Sequence, residues 1–141
     1  MNIHAPDNRW LEYLQNAYDQ LLSAAPLPFS ALTPSAIPEV SGIYIITARL
    51  DGKHIPYYVG RSKNLRQRLY NNHLMGPLSN ARLKKYLIDF GECGSLGEAK
   101  QFIKTHCWTR WIEEPDIRKR GAIEGYATGM LFPKYGIYEE H

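Results

Sequence analysis

The basic side chains of this chain are concentrated in one segment, which indicates a site that binds or acts on an anion. Between residues 61 and 86 there are seven cations and no aspartate or glutamate, although the whole chain carries a formal charge of only +3. A positive field of this kind attracts polyanions, and nucleic acid is the first of these. The plainer interpretation, in which these cations only form solvated helix faces, stays open at this point.

A single carboxylate, Glu124, lies in the last predicted helix on a face that is expected to be packed. A buried carboxylate without a partner is costly, so it needs a cation, which is either a metal ion or an arginine. Arg118 and Arg120 on the same helix are the nearest arginines in sequence. Glycines recur at every fourth position of this helix, which predicts a close approach to its neighbours. They are Gly121, Gly125 and Gly129.

Two tyrosines and one arginine complete the set of reactive side chains. Tyr44 and Tyr58 lie on the two arms of a predicted hairpin, where a tyrosine taken singly usually belongs to the core. Arg68 borders the apolar stripe of Leu65 and Leu69, from which its side chain can reach the end of the hairpin. Only the combination of these residues favours a functional interpretation over a structural one.

The segments GIY at 42–44 and YVG at 58–60, followed by RSKNLRQRL, resemble the motifs of the GIY-YIG nuclease family. The arginine that this family carries ten residues after its second tyrosine matches Arg68, and the basic residue three positions after that tyrosine matches Arg61. The glutamate that the family places ahead of a P-x-Y-N segment matches Glu124. The resemblance extends over residues 40–136 and consists of five separate elements in the same order.

Two residues depart from the pattern of the family. Gly136 stands in the P-x-Y-N segment where many members carry an asparagine. Asn72 stands where a histidine is often found, four residues after the arginine, and His73 follows one place later. Both departures concern residues around the reacting groups and leave the class of protein unchanged.

The resemblance implies a divalent-metal-dependent endonuclease that hydrolyses phosphodiester bonds in single-stranded, branched or duplex DNA. Glu124 would hold the metal, and Mg²⁺ or Mn²⁺ is expected over zinc because one carboxylate makes an oxygen-rich shell completed by water. Arg68 would clamp a phosphate oxygen and Arg61 would add a second positive charge. A catalytically impaired nucleic-acid-binding module on the same scaffold is the alternative.

The general base that the resemblance implies is a tyrosine. A free phenol has a pKa of about 10, so Tyr44 would need neighbouring cations that lower its pKa. Tyr44 is favoured as the base, relayed to His73, and Tyr58 would position the attacking water. The two tyrosine roles are interchangeable at this stage.

Contacts to the DNA backbone and bases are expected from the residues that surround these motifs. The segment Asn80 to Tyr86 is the expected phosphate track. Trp108 and Trp111 are expected in the core and at its rim, and the alternative is that Trp111 beside Arg110 offers a surface on which an unpaired base can stack. The expected DNA-binding residues are Lys63, Asn64, Arg66, Arg82, Lys84, Lys85, Arg110 and Trp111. No separate DNA-reading domain is visible, so target selection is expected from the insertion Asn80–Gly97, the N-terminal helix, a partner protein or a homodimer.

The first half of the chain predicts a helix, a connector and a hairpin. Apolar residues recur at helical spacing from the cap at Asp7 or Asn8 up to Ser23. Four prolines then predict a connector without regular structure. Residues 42–50 and 54–62 are β-branched and aromatic, and the Asp51-Gly52 pair between them predicts a two-stranded antiparallel hairpin.

The second half predicts three helices and one strand. Helices are expected over residues 63–74 and 80–89, and a third strand over residues 101–112, whose residues alternate. The last helix is expected to begin at Pro115 and to end near Phe132. The predicted fold class is α/β of the α+β type, with a small three-stranded, mainly antiparallel sheet flanked by helices and an added N-terminal helix.

Length and composition exclude several other classes of protein. The 141 residues, of which 44% are hydrophobic and 22% charged, suit one globular unit. We divide it into an N-terminal helix and connector at 1–39 and a nuclease domain at 40–141. No apolar run approaches the roughly 20 residues of a membrane span, and the two cysteines form no disulfide or zinc pattern. No membrane association and a cytoplasmic location are expected.

Overall fold

The computed structural model describes residues 2–76 and 82–138. These residues form a four-stranded antiparallel sheet with helices on both faces. The strands are β1 (Leu27–Pro28), β2 (Gly42–Leu50), β3 (Lys53–Ser62) and β4 (Cys107–Glu113), in the order β1-β4-β2-β3. The helices are α1 (Asn8–Ser23), α2 (Arg82–Asp89), α3 (Leu96–His106) and α4 (Ile117–Leu131), with a π-helix at Gln67–Met75 and 3₁₀ turns at Phe29–Ala31 and Pro34–Ala36.

The β2–β3 hairpin has the arms and the turn that its sequence predicts. Asp51 and Gly52 both have positive φ, 53° and 77°, which matches the right-handed twist of the strands that they join. In the hairpin register Tyr44 pairs with Gly60 and Ile46 pairs with Tyr58. Because residues directly opposite each other share a face, Tyr44 and Tyr58 point to the same side of the sheet.

The two faces of the sheet contribute to two separate hydrophobic clusters. Tyr44, Ile46 and Tyr58 belong to the cluster that includes residues of the π-helix, α2 and α3. Ile43 and Ile45 belong to the cluster that includes residues of α1 and α4. Strand β3 lies at one edge of the sheet, so a cleft along that edge is accessible to side chains from both faces.

The predicted strand over residues 101–112 is wrong in its first half. Helix α3 covers Leu96–His106, and only Cys107–Glu113 forms a strand. The hydroxyl of Ser95 accepts a hydrogen bond from the amide of Glu98 at 3.2 Å and caps the helix. Ala99 and Ile103, four residues apart, are both fully buried, and this helical spacing prevails over the alternation of the residues that follow.

The proline-rich connector contains more regular structure than predicted. Its first residues form β1, which pairs with Trp108 and Thr109 of β4 and adds a fourth strand to the sheet. Pro28 is tolerated there because β1 is an edge strand, where one side of the backbone needs no ladder partner. The predicted three strands are therefore all present, and the sheet has four strands because the short edge strand β1 was not predicted.

The predicted ends of α1, α2 and α4 differ from the structure by at most two residues, whereas the helix predicted over residues 63–74 is a π-helix at Gln67–Met75 that begins four residues later. Helix α1 begins as expected, and the Asp7 carboxylate accepts a hydrogen bond from the Arg9 amide at 3.0 Å. Helix α4 begins at Ile117 and not at Pro115, because the Asp116 carboxylate caps it by accepting from the Lys119 amide at 2.9 Å. The first two residues predicted for α2, at 80 and 81, lie outside the described part of the chain.

None of the helices in residues 2–76 and 82–138 has the length and apolar content that a membrane-crossing segment needs.

Candidate active site

A polar cleft of about 680 Å³ lies at the β3 edge of the sheet. Strands β2 and β3 contribute side chains from one face, and β3 and α4 contribute them from the other. The cleft is lined by Tyr44, Tyr58, Val59, Gly60, Arg61, Arg68, Arg82, Glu124, Gly125, Thr128, Pro133, Tyr135 and Gly136. Five of the six residues predicted to be catalytic therefore line one cavity, and the sixth, His73, lies directly behind it.

Tyr44 and His73 form a buried hydrogen-bonded pair. Neither residue is exposed to solvent, and the Tyr44 hydroxyl lies 2.7 Å from His73 Nε2. Gly60 is required beside this pair, because a Cβ atom at position 60 would lie 2.3 Å from the Tyr44 hydroxyl. The glycine of the YVG motif therefore makes room for the phenol against β3, where it forms part of the wall of the cleft.

The π-helix explains why the histidine comes one residue later than the pattern of the family. In a π-helix the hydrogen bonds run from residue i to i+5, so residues five apart stack above each other. Arg68 and His73 are five apart within Gln67–Met75, and both reach the site. The extra residue in this turn thus places His73 on the side of the helix that faces Tyr44.

The protonation states of these buried groups differ from the sequence-based expectation. Burial raises the pKa of Tyr44 above its ordinary value, and the positive charge of Arg68 offsets only part of this effect. Burial also raises the pKa of Tyr58. The pKa of His73 is lowered to about 3 by burial and by the charges of Arg68 and Lys84. The expected lowering of a tyrosine pKa is therefore wrong for the protein alone, because desolvation outweighs the neighbouring cations.

Glu124 has an arginine partner from β3. Arg61 Nη1 lies 3.5 Å from Glu124 Oε1, and the Glu124 side chain is 29% exposed. Gly121 leaves room for this approach, because an added Cβ atom there would lie 2.9 Å from Arg61 Nη1 and displace the end of that side chain. Arg120, one of the partners considered from the sequence, is buried and donates to the carbonyl oxygens of Glu114 and Pro115.

The glycine ridge of α4 makes a close approach at only one position. An added Cβ at Gly125 or Gly129 would meet no atom within 4 Å, so the expected tight packing is wrong for these two residues. Gly125 nevertheless lines the cleft. A side chain at position 125 would stand beside Glu124 and narrow the space for a ligand.

The donor groups of the cleft fit a hard divalent cation that keeps most of its water. Glu124 supplies carboxylate oxygens, and no group of three or more histidine, cysteine, aspartate or glutamate side chains occurs among the residues described. Mg²⁺ is commonly bound by one or two carboxylates together with water and substrate phosphates. Burial raises the pKa of Glu124, whereas Arg61 and Arg68 lower it.

Lys84 is the one predicted phosphate contact that the structure places in the interior. Its side chain is fully buried, and Nζ donates to the carbonyl oxygens of Asn72 and Gly76, both at 2.5 Å. Burial lowers its pKa to about 8. Lys84 holds the carbonyl groups at the end of the π-helix, so the prediction that it contacts DNA is corrected to a structural role.

The other predicted contacts, on α2 and in the residues just before the π-helix, differ in their surroundings. Arg82 lines the cleft, and Lys85 is exposed beside Asp89 at 3.7 Å. Arg66 donates to the Ile37 carbonyl and pairs with Glu39, each within 2.9 Å. The two remaining residues also differ: Lys63 is exposed, whereas the Asn64 side chain accepts a hydrogen bond from the Gln67 amide.

Arg110 and Trp111 do not form the joint surface that the sequence suggested. In the register of β4, Arg110 pairs with Ile45 and Trp111 with Tyr44, so their side chains point to opposite faces of the sheet. Trp111 packs against the cluster that contains Tyr44. This packing agrees with the expectation that Trp111 belongs to the core and its rim, whereas the alternative of a stacking surface shared with Arg110 is wrong, because successive residues of a strand alternate between faces.

The segment after α4 contributes residues to the cleft that were not predicted as site residues. Tyr135 lines the cleft, and its hydroxyl donates to the Glu92 carboxylate, which also accepts from Tyr57 at 2.9 Å. Gly136 has a φ of 115° and lies against Tyr58. Glycine adopts this conformation without strain, which explains why it is suited to this position. Nothing in the local sequence around Glu92 indicates its anchoring role.

Comparison with known proteins gives a match to one family. A model described as the GIY-YIG catalytic domain matches residues 40–111, just over half of the chain. No curated protein sequence matches.

Solved structures of the N-terminal GIY-YIG endonuclease domain of UvrC from Thermotoga maritima are also similar. A point mutant bound to its catalytic divalent cation has 21% identity and a TM-score of 0.45, with 72% of this chain and 87% of that chain covered. The magnesium-bound domain has 17% identity and a TM-score of 0.41, with 89% and 98% covered.

Proposed function

Because this chain belongs to the GIY-YIG endonuclease family, we propose that it hydrolyses phosphodiester bonds of DNA with a divalent metal ion, Mg²⁺ or Mn²⁺. The observation that carries this proposal is the convergence of Glu124, Arg61, Arg68 and Tyr44 on one cleft, with His73 behind it. A module that only binds nucleic acid gains nothing from a carboxylate on its anion-binding surface, since that charge repels phosphate.

The cations of the cleft prepare it for a phosphate group. Arg61, Arg68 and Arg82 line the cleft together with Glu124, the one carboxylate among its lining residues, so the cleft favours an anion. Arg68 is placed to hold a phosphate oxygen through its planar fork, and Arg61 stabilises the charge that develops in the transition state. Glu124 would hold the metal ion, which supplies Lewis-acid stabilisation of the phosphate and of the departing 3′ oxygen.

Proton transfer from the attacking water falls to the Tyr44–His73 pair. Both residues are neutral in the resting protein, and with the His73 proton on Nδ1 its Nε2 accepts from the Tyr44 hydroxyl. Tyr44 then accepts a proton from the water only as it gives its own to Nε2. The positive charge of Arg68 lowers the pKa of His73, and a phosphate bound to Arg68 offsets that charge. Tyr58 packs its ring against Tyr44 and His73, with centroid distances of 6.4 and 5.5 Å, and its role is to position the water.

Tyr44→Phe is expected to slow the chemical step by about 10²-fold or more while the fold is kept, because the ring remains and only the proton carrier is lost. Tyr58→Phe should cost less. Burial raises the pKa of Tyr44 and holds that of His73 at about 3, so neither group titrates between about pH 5 and 9. Plotted against pH, the single-turnover rates of wild type and Tyr44→Phe should therefore follow curves of the same shape, with the rate of the variant lower at every pH. A pH dependence that disappears in Tyr44→Phe would identify a phenolate base instead.

The direct test of the proposed function is cleavage of labelled DNA by the purified protein. Single-stranded, duplex and branched substrates of equal length are incubated with Mg²⁺, with Mn²⁺ and with excess EDTA. We expect cleavage of at least one substrate in either metal ion and none in EDTA. Binding without cleavage in both metal ions would favour the impaired nucleic-acid-binding module, and cleavage in EDTA would contradict the metal requirement.

We also propose a location, a domain division and an assembly for this chain. Cys93 and Cys107 are both buried and free, which agrees with a reducing compartment such as the cytoplasm. The division into residues 1–39 and 40–141 is kept as a proposal, although Ala17 and Leu21 of α1 share a hydrophobic cluster with Ile123 of α4. A homodimer or a partner protein is proposed for target selection.

A further inference from the structure

An apolar groove of about 380 Å³ lies next to the cleft. It is lined by Ile55, Pro56, Phe132, Pro133, Lys134, Ile137 and Tyr138. Three of its large side chains are strongly exposed, with exposed fractions of 79% for Phe132, 55% for Tyr138 and 50% for Ile137. Burial of such groups is favourable, so a concentration of them at the rim of a site indicates a ligand surface.

Phe132 is held in a backbone conformation that a phenylalanine rarely adopts. It ends α4 with φ 45° and ψ 62°, in the left-handed region where glycine or asparagine is normally found. This conformation costs free energy, and a ring that is 79% exposed recovers little of it by packing within the protein. The conformation and the exposure together suggest that the ring acts on a ligand.

The groove is continuous with the catalytic cleft. Pro133 lines both cavities. An aromatic series connects them as well, because Tyr135 of the cleft contacts Phe90 at a centroid distance of 5.8 Å and Phe90 contacts Tyr138 of the groove at 4.6 Å. A lysine, Lys134, lies in the lining of the groove. A series of aromatic rings thus leads from the cationic cleft, the proposed phosphate site, to the apolar groove.

We propose that this groove binds unpaired nucleobases of the strand whose phosphate lies in the cleft, so that single-stranded or locally unpaired DNA is the preferred substrate. This inference rests on the proposed function, because it takes the cleft to be the phosphate site. Proteins that bind single strands combine a cationic track with aromatic platforms on which bases stack. In a duplex the base faces are covered by their neighbours and cannot enter the groove.

Phe132→Asn tests this inference, because asparagine tolerates the left-handed conformation and lacks the ring. Binding is measured by fluorescence anisotropy in EDTA, so that the result does not depend on cleavage. The probes are a labelled 20-nucleotide oligothymidine, an abasic oligonucleotide of the same length and a 20-base-pair duplex. We expect the variant to bind the oligothymidine about 5- to 30-fold more weakly, and the other two probes as the wild type does.

Two further variants separate stacking from other effects. Tyr138→Ala should weaken oligothymidine binding in the same selective way. Ile117→Ala removes another exposed apolar side chain, 65% exposed, at the opposite end of α4 and should change nothing. The midpoint of thermal unfolding of Phe132→Asn should equal or exceed that of the wild type, because the strain is relieved.

Three outcomes would overturn the inference. The first is unchanged oligothymidine affinity in both groove variants, and the second is an equal loss on the abasic probe. The third is a difference in sedimentation coefficient between the wild type and the groove variants without DNA, together with an unchanged DNA affinity. This result would assign the groove to a contact between proteins. Because binding is read in EDTA, a protein that cleaves no DNA can still support the groove, and one that cleaves DNA can still contradict it.

Discussion

Glu124→Gln is expected to reduce DNA cleavage in Mg²⁺ by about 10³-fold or more, because it removes the carboxylate that would hold the metal ion and keeps the shape of the side chain. DNA binding in EDTA should remain or become somewhat tighter, since the cleft loses a negative charge and Arg61 loses its partner at 3.5 Å. Single-turnover cleavage and anisotropy on the same labelled oligonucleotide measure the two effects.

A matched control for this variant is available on α1. Glu12→Gln makes the same chemical change at an exposed residue far along the chain from the cleft and should leave cleavage and binding unchanged. Cleavage by Glu124→Gln within about threefold of wild type would remove Glu124 from the metal site. Glu124 would then serve only as the ion-pair partner of Arg61.

Arg68→Ala is expected to reduce the single-turnover rate by on the order of 10²–10⁴, the effect of removing a charge positioned for the transition state. Arg68→Lys should recover little of this rate, because an ammonium group cannot hold two phosphate oxygens as the planar fork does. Substitution by alanine also removes the charge that lowers the pKa of Tyr44 and of His73. Rates measured with saturating enzyme separate this loss from weaker DNA binding.

Arg118→Ala serves as the charge control for Arg68. Arg118 is exposed near the start of α4, so its loss changes the net charge equally without touching the cleft. Its rate at saturating enzyme should equal that of the wild type. If Arg68→Lys were as fast as the wild type, Arg68 would act only as a point charge that attracts the DNA.

Local sequence patterns were sufficient wherever one residue type has one favourable conformation. Asp51 and Gly52 both adopt positive φ, so the hairpin and the shared face of Tyr44 and Tyr58 follow from the sequence alone. Helix α1 follows in the same way from its cap at Asp7 and its apolar spacing. These elements depend on neighbours within a few residues, and such neighbours are visible in a sequence.

Where a sequence pattern suits two conformations, burial in the folded molecule decides which one the chain adopts. Residues 101–106 alternate as in a strand, yet they belong to α3 because Ala99 and Ile103 bury a helical face. Lys84 has the sequence surroundings of a phosphate contact, but its ammonium group is enclosed and bonded to two carbonyl groups of the π-helix. Whether a lysine points outward depends on the elements packed around it, and these come from distant parts of the chain.

Motif spacing alone was enough to select Tyr44, Tyr58, Arg61, Arg68 and Glu124, which line one cleft, and His73 was added one place beyond the position that the motif indicates. How these residues are paired depends on the packed molecule. The π-helix turns His73 toward Tyr44, and Gly121 admits Arg61 to Glu124. The tertiary structure also decided their protonation states, because desolvation depends on how deeply each group is buried, and burial is a property of the packed molecule.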